Sequence, residues 1–253
     1  MKELKYKYST LVFIGRFQPF HLGHQTVVDE ALQKALEVII LVGSSFSSRS
    51  LRNPFTYEER KQMIKSVYPQ DNVIVMPIKD YPYDDNKWIA AVQDTVENTR
   101  MKHLLGRSDV PRGASTRVGL IGYEKDKSSY YLKLFPTWGN VAVDDTTNIS
   151  ATPIRKKMFE AKDMFPSQQL DMNIHVADLI SGWIKYKDVS EVRSQRVSRD
   201  ITMTKEISRP ELQRPTKLQE LFNEYDMIKA YRESWEVAPY PPTFVTTDVV
   251  IVQ

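Results

Sequence analysis

The sequence predicts an α/β fold: a doubly wound parallel sheet with a C-terminal helical extension. Three observations predict it. Strand-like and helix-like runs alternate over the first two thirds of the chain. The strand-like runs are continuous, apolar and rich in β-branched residues, as in strands covered on both faces. The most unusual stretch, GRFQPFHLGH (15–24), stands between the first strand and the first helix. In a sheet of this kind, ligands bind at that end of the strands.

The elements follow in order. LVFIG (11–15) is the first strand, and a helix is expected over roughly 22–36. VIILVG (38–43) is the second strand. A helix over 56–68 opens at Thr56, with Glu59 three residues on, a capping-box pattern. VIVMP (73–77) is the third strand and 86–99 the next helix. Residues 103–116 carry Gly and Pro and read as a loop insertion. VGLIG (118–122), a helix over 127–134, VAV (141–143) and a helix over 151–161 complete the alternation. Residues 187–215 are polar and mixed in charge, an exposed arm or a linker. The next helix has Leu218, Leu221, Phe222, Tyr225 and Ile228 at helical spacing. PYPP ends it, and TFVTTDVVIVQ is a strand signal. A lone strand cannot satisfy its hydrogen bonds. It joins the main sheet or a partner chain, or the sequence is a fragment. The expected division is 1–186, 187–243 and 244–253.

Composition limits the function. The 253 residues include 35 Lys and Arg against 32 Asp and Glu, a net charge of +3. That balance gives no argument for a nucleic-acid partner and leaves an anionic substrate open. With no cysteine, disulfides, thiolate metal sites and cysteine nucleophiles are excluded, and a reducing compartment fits. MKELKYKYST lacks the apolar core of a signal peptide, and no run approaches the roughly 20 apolar residues of a membrane helix. The expectation is a cytoplasmic protein with no membrane partner.

Half of the four histidines, His21 and His24, lie three apart in the opening turn. Gly15 permits a sharp turn, and Gly23 lets a ligand approach the backbone. A helix N-terminus attracts phosphate. His21 and His24 share a helix face, and with Arg16 they make a cluster of donors for phosphate oxygens. Three other readings compete: core or capping histidines, metal ligands, and nucleotide binding without catalysis. Metal ligation is disfavoured, because no third histidine or paired carboxylates lie nearby in sequence. Neither G-x-x-x-x-G-K-[ST] nor G-x-G-x-x-G occurs.

GRFQPFHLGH resembles the H-x-G-H signature of the nucleotidyltransferase α/β superfamily, a Rossmann-like group, and ISATPIR (149–155) resembles its second signature, I-S-x-T-x-[IV]-R. GRFQPFH, SLRNPFTYEER (50–60) and DNKW (85–88) are together similar to archaeal-type nicotinamide mononucleotide (NMN) adenylyltransferases. GYEKDKSSYYLKLFPTW (122–138) and WEVAPYPPTFVTTDVVIVQ (235–253) resemble bifunctional proteins that join that enzyme to a Nudix hydrolase. TTDVVIVQ matches the first Nudix strand, but the Nudix signature is missing. The expectation is a truncated chain without that activity, whose full-length form also acts as an ADP-ribose pyrophosphatase.

The resemblance implies that NMN and ATP give NAD and pyrophosphate, with Mg²⁺ carried on the ATP phosphates and no dedicated protein cage. It assigns His21, His24, Arg16 and Arg155 to catalysis. Gly15, Phe17, Gly23, Arg52, Gly122, Ser150 and Thr152 go to ATP. Gln18, Asp85, Asn86 and Trp88 go to NMN, with Trp88 a platform for the nicotinamide ring. Bland roles stand beside these: a core tryptophan for Trp88, helix capping for Ser150 and Thr152, and a surface arginine in a serine-rich loop, read as a lid, for Arg52. Two departures are visible. Gly122 is followed by Tyr123 where relatives often have histidine, and VDDTTN is acidic where archaeal forms carry a basic residue. A sister transferase making coenzyme A precursors, FAD or CDP-alcohols, or a non-enzymatic nucleotide sensor, is the alternative. A homo-oligomer remains open.

Overall fold

The computed structural model describes residues 6–104, 117–123, 134–145, 147–161, 171–185 and 216–236. Five strands, β1 (Tyr8–Gly15), β2 (Ala35–Val42), β3 (Val73–Pro77), β4 (Val118–Tyr123) and β5 (Gly139–Val143), form one sheet in the order β3-β2-β1-β4-β5. All four pairings are parallel. The chain runs outward from β1 to β3, then returns to β1's other side for β4. Strand order therefore reverses over the carboxyl ends of β1 and β4, where doubly wound sheets bind ligands. Gly15 pairs with Val42 and Val42 with Pro77, so β1, β2 and β3 end level and their loops meet.

Among the described residues, six helices accompany the strands: α1 (Leu22–Lys34), α2 (Tyr57–Val67), α3 (Asp85–Leu104), α4 (Ala151–Ala161), α5 (Ile174–Lys185) and α6 (Thr216–Glu236). Side chains alternate across a strand, so β1 to β4 each feed two cores. Leu11, Phe13, Val38, Ile40 and Ile121 enter a larger core with residues of α1, α2, α4, α5 and α6. Val12, Ile14, Ile39, Leu41 and Leu120 face a second core with Val92 and Val96 of α3 and with Phe135. Helices thus cover both faces, and the doubly wound α/β expectation holds. No helix among the described residues is long and apolar enough to cross a membrane.

Two helix ends and one whole helix differ from expectation. α1 stops at Lys34 because Ala35 turns extended (φ −134°, ψ 153°) and pairs with Tyr8 of β1. Strand pairing takes the residues expected to end the helix. α3 runs to Leu104, past the expected start of the insertion. Arg100, in its last turns, donates to Thr10 Oγ1 at 3.1 Å and anchors the helix to β1. α5 had no counterpart in the sequence reading, although its buried Val176, Ala177, Ile180 and Ile184 recur at helical spacing. α6 lies where the extension was expected and packs on the main core through Leu218, Leu221 and Phe222. The arm (187–215), the last strand signal (244–253) and nearly all of the expected helix 127–134 lie outside the described residues.

Candidate active site

The turn after β1 is held by buried aromatic rings. Phe17 takes φ 51°, a left-handed value that bulky residues avoid. Its ring is buried edge-on against Phe13 (centroids 5.2 Å apart) and His24 (4.9 Å). Gly15 makes room for it, since an added Cβ would lie 2.8 Å from Phe17 Cζ. The Gln18–Pro19 peptide is cis. Gln18 is 3% exposed. Its Nε2 donates to Phe55 O at 2.8 Å, and its Oε1 accepts from Phe55 N–H at 2.9 Å. Gln18 thus spends its side chain on the main chain before α2. Its carbonyl oxygen accepts from Arg155 Nη1 at 2.7 Å.

His21 caps α1 and is 5% exposed. Its ring stacks on that of His24, with centroids 3.6 Å apart and planes 25° apart. Phe20 stacks on the other side of His24 at 5.7 Å. The His24 ring is therefore fixed in orientation. Its Nδ1 accepts the His21 N–H at 3.3 Å. A neutral ring with Nδ1 accepting carries its proton on Nε2. One N–H at this helix end, that of Leu22, is already given to Asp171 O at 2.9 Å. Gly23 is needed for packing, because a Cβ there would stand 3.1 Å from both His21 Cε1 and Thr147 Oγ1. Tyr123, at the end of β4, donates to Gly23 O at 2.7 Å and ties β4 to this helix start.

Three guanidinium groups come together from distant segments. Arg155, on the first turns of α4, donates to Gln18 O at 2.7 Å and to Thr152 Oγ1 at 3.2 Å. Burial, then repulsion from Arg16 and Arg52, lowers its pKa. Burial, then repulsion from Arg52, lowers that of Arg16, against the opposite pull of Asp80. Among the described residues none of the three is in an ion pair. Mutual repulsion of this kind, only partly offset by Asp80, favours the approach of a polyanion.

The serine-rich loop separates two arginines by use. Arg49 makes two 2.7 Å bonds to Glu59 and another to Pro54 O at 2.6 Å. Arg52 is exposed and left to the cluster. The loop expected to act as a lid is thus fastened at Arg49 to the capping box of α2, where Thr56 and Glu59 exchange bonds as expected.

Ser150 and Thr152 stand exposed at the start of α4, and Gly122 is buried in β4 against Ala142. Asp85, Asn86 and Trp88 occupy the first turn of α3, after β3. Asp85 and Asn86 are exposed. Trp88 is half-buried on the second core and meets Phe135 at 6.1 Å, so packing is the role its ring fills in the absence of ligand. No group of three or more His, Cys, Asp or Glu suited to hold a metal occurs among the described residues. A separate open groove of about 880 Å³ lies against β3, between Lys61, Lys65, Lys102 and His103, and carries none of these residues.

The sequence reading missed Arg60. It is 1% exposed and bonds four main-chain carbonyls around the site. The signal was present: Arg60, Met63 and Ile64 share the buried stripe of α2.

Arg16, Arg52 and Arg155 thus gather beside the stacked His21 and His24 at the switch point of a parallel sheet, the place where α/β proteins of this architecture bind ligands. The chain belongs to the cytidylyltransferase-like family, which matches residues 12–157. It is 43% identical over 161 residues to the nicotinamide/nicotinic acid mononucleotide adenylyltransferase of Acinetobacter baylyi, across 62% of this chain and 79% of that one. It is 43% identical over 88 residues to the nicotinamide-nucleotide adenylyltransferase of Archaeoglobus fulgidus, covering 32% of this chain and 50% of the relative. In structure it is similar to a bifunctional NMN adenylyltransferase/ADP-ribose pyrophosphatase from Francisella tularensis, with TM-score 0.65 and 29% identity. That match covers 94% of this chain and 59% of the other. The same F. tularensis protein complexed with AMP and a manganese ion matches with TM-score 0.60. The chain thus spans about half of the archaeal relative and under two thirds of the bifunctional protein.

Proposed function

We propose that this protein is an NMN adenylyltransferase, converting NMN and ATP to NAD and pyrophosphate. The observation that carries the reading is the convergence of Arg16, Arg52 and Arg155 on the turn that holds His21 and His24. The names of the relatives supply the substrates. An oxygen of the NMN 5′-phosphate attacks the α-phosphorus of ATP. The bond from that phosphorus to the α–β bridging oxygen breaks, and pyrophosphate leaves with the electron pair. The nucleophile is already an anion, so the chain supplies no base and forms no covalent intermediate. It contributes position and charge stabilisation. Arg155 and Arg16 hold ATP phosphates, Arg52 reaches them from its loop, and the His24 Nε2–H with His21 donates to the reacting phosphoryl oxygens.

Mg²⁺ enters with ATP, bound mainly by phosphate and water. The manganese in the F. tularensis complex supports use of a divalent ion. Asp85, Asn86 and Trp88 are assigned to NMN on the DNKW resemblance, with Trp88 turning its exposed part to the nicotinamide. Ser150, Thr152 and Gly122 are assigned to ATP. The resemblance of 235–253 to a Nudix opening, together with the second activity in the F. tularensis name, supports an ADP-ribose pyrophosphatase in a longer form of this protein. ADP-ribose hydrolysis by that form tests it.

The purified chain, mixed with ATP, Mg²⁺ and NMN, is expected to form NAD at a steady rate in an alcohol dehydrogenase couple. Repeating the assay with nicotinic acid mononucleotide ranks the two substrates. Folded protein that binds ATP and makes no NAD would reject the assignment.

A further inference from the structure

We infer that Arg60 is the positioning residue of the phosphate site: from inside the core, its guanidinium sets the main chain that aims Arg16 and carries the Arg52 loop. The inference rests on the polyphosphate reading above.

The geometry is explicit. Nη1 donates to Arg16 O at 2.7 Å and to Gly43 O at 2.6 Å. Nη2 donates to Ser44 O at 3.1 Å, and Nε to Thr56 O at 3.1 Å. These carbonyls belong to three segments: the turn after β1, the loop after β2, and the cap of α2. A planar fork can hold three segments at once, whereas a lysine ammonium is a point charge on a flexible stem. Ser44 takes φ 50°, a left-handed value that its neighbours must hold. Its carbonyl is held by Arg60, and its N–H goes to Asp80 Oδ1 at 3.1 Å. Asp80 also attracts both Arg16 and Arg60.

Stability alone does not explain a cation here. A buried guanidinium pays desolvation, and an apolar side chain of like volume often serves a core as well or better. Burial pulls the Arg60 pKa down to about 10, which records that cost. What the arginine supplies, and an apolar residue does not, is a fixed set of carbonyl positions beneath Arg16. A misplacement of about 1 Å at a reacting centre costs roughly 10²-fold in rate.

The test uses Arg60→Lys and Arg60→Met, with Tyr68→Phe as control. Tyr68 bonds Asp29 and Gln25 O at the other end of α2, so its loss weakens the fold without touching the phosphate loops. Methionine fills the volume without a buried charge, so the test does not depend on the lysine variant folding. Inorganic tripolyphosphate binding is measured by calorimetry, and NAD formation at saturating substrates, below each variant's melting point. Both Arg60 variants are expected to bind tripolyphosphate about tenfold more weakly or worse and to lose about 10²-fold in kcat. Tyr68→Phe is expected to melt lower with both readouts unchanged. Folded Arg60 variants that keep parental affinity and kcat overturn the inference, as does a control that loses both in equal measure. Tripolyphosphate binding needs no NMN. A parent protein that binds it but makes no NAD rejects the reaction while leaving the Arg60 test intact.

Discussion

Replacing Arg155 by methionine separates a phosphate ligand from a structural bolt. In the nucleotide-free protein the substitution removes two hydrogen bonds, to Gln18 O and to Thr152 Oγ1. Each contributes about 1 kcal/mol net. It also removes repulsion from Arg16 and Arg52, which burial makes felt but solvent partly screens. Screened pairs of this kind count for up to about 1 kcal/mol each. Loss and gain nearly cancel, so the melting temperature should stay within about 4 °C of the parent. Catalysis has no such offset. A charge-assisted bond to phosphate is worth about 1.5–3 kcal/mol, so kcat/KM for ATP should fall roughly 10- to 150-fold. The assay is NAD formation with ATP varied at fixed NMN, beside thermal unfolding without nucleotide. Added salt should raise the KM for ATP more in the parent than in the variant, since it screens a charge the variant lacks. A variant that keeps its kcat/KM but melts several degrees lower would refute the reasoning and make Arg155 a bolt for Gln18.

Other outcomes follow from the same geometry. His24→Ala removes a fixed donor and should lower kcat about 10²- to 10³-fold, with far-ultraviolet circular dichroism unchanged. Gln18→Leu strands the Phe55 N–H and carbonyl in a buried place, a cost of about 2 kcal/mol or more. A drop of roughly 4–8 °C in melting temperature checks it. Chelation of divalent ions should stop NAD formation, and added Mg²⁺ should restore it with no change in nucleotide-free melting. At high pH the tyrosines matter. Burial, then the Glu58 charge, pushes Tyr57 up to about 12, and burial with Asp29 pushes Tyr68 further. Both titrate near ~10 in an unfolded chain. The fold therefore favours their protonated forms. That stability is complete below pH ~10 and is lost as pH rises through about 12. Tyr57→Phe should flatten the fall in melting temperature over this window.

The opening turn and the second signature were legible because each is local. His21 and His24 need only helical spacing to share a face, and Arg155 lies in a recognisable run. The buried strands were legible too, through their unbroken apolar character. α5 carries regular apolar spacing at Val176, Ala177, Ile180 and Ile184 but no signature motif. Arg60 was overlooked because an arginine in TYEERK reads as one more charge on a helix surface. Only the neighbours of that surface show it to be the inside.

By itself the sequence singled out the candidate residues of the opening turn and determined the alternating order of strand and helix, since both follow from residue type and short-range periodicity. Tertiary structure alone decided how they combine. It brought Arg16, Arg52 and Arg155 within electrostatic reach, spent Arg49 on Glu59, and turned Gln18 inward to Phe55. It also gave Arg60 its four carbonyls. These outcomes depend on contacts between distant segments, as from Arg155 to Gln18, 137 positions apart. Such distances are set by sheet order and packing, which no local pattern encodes.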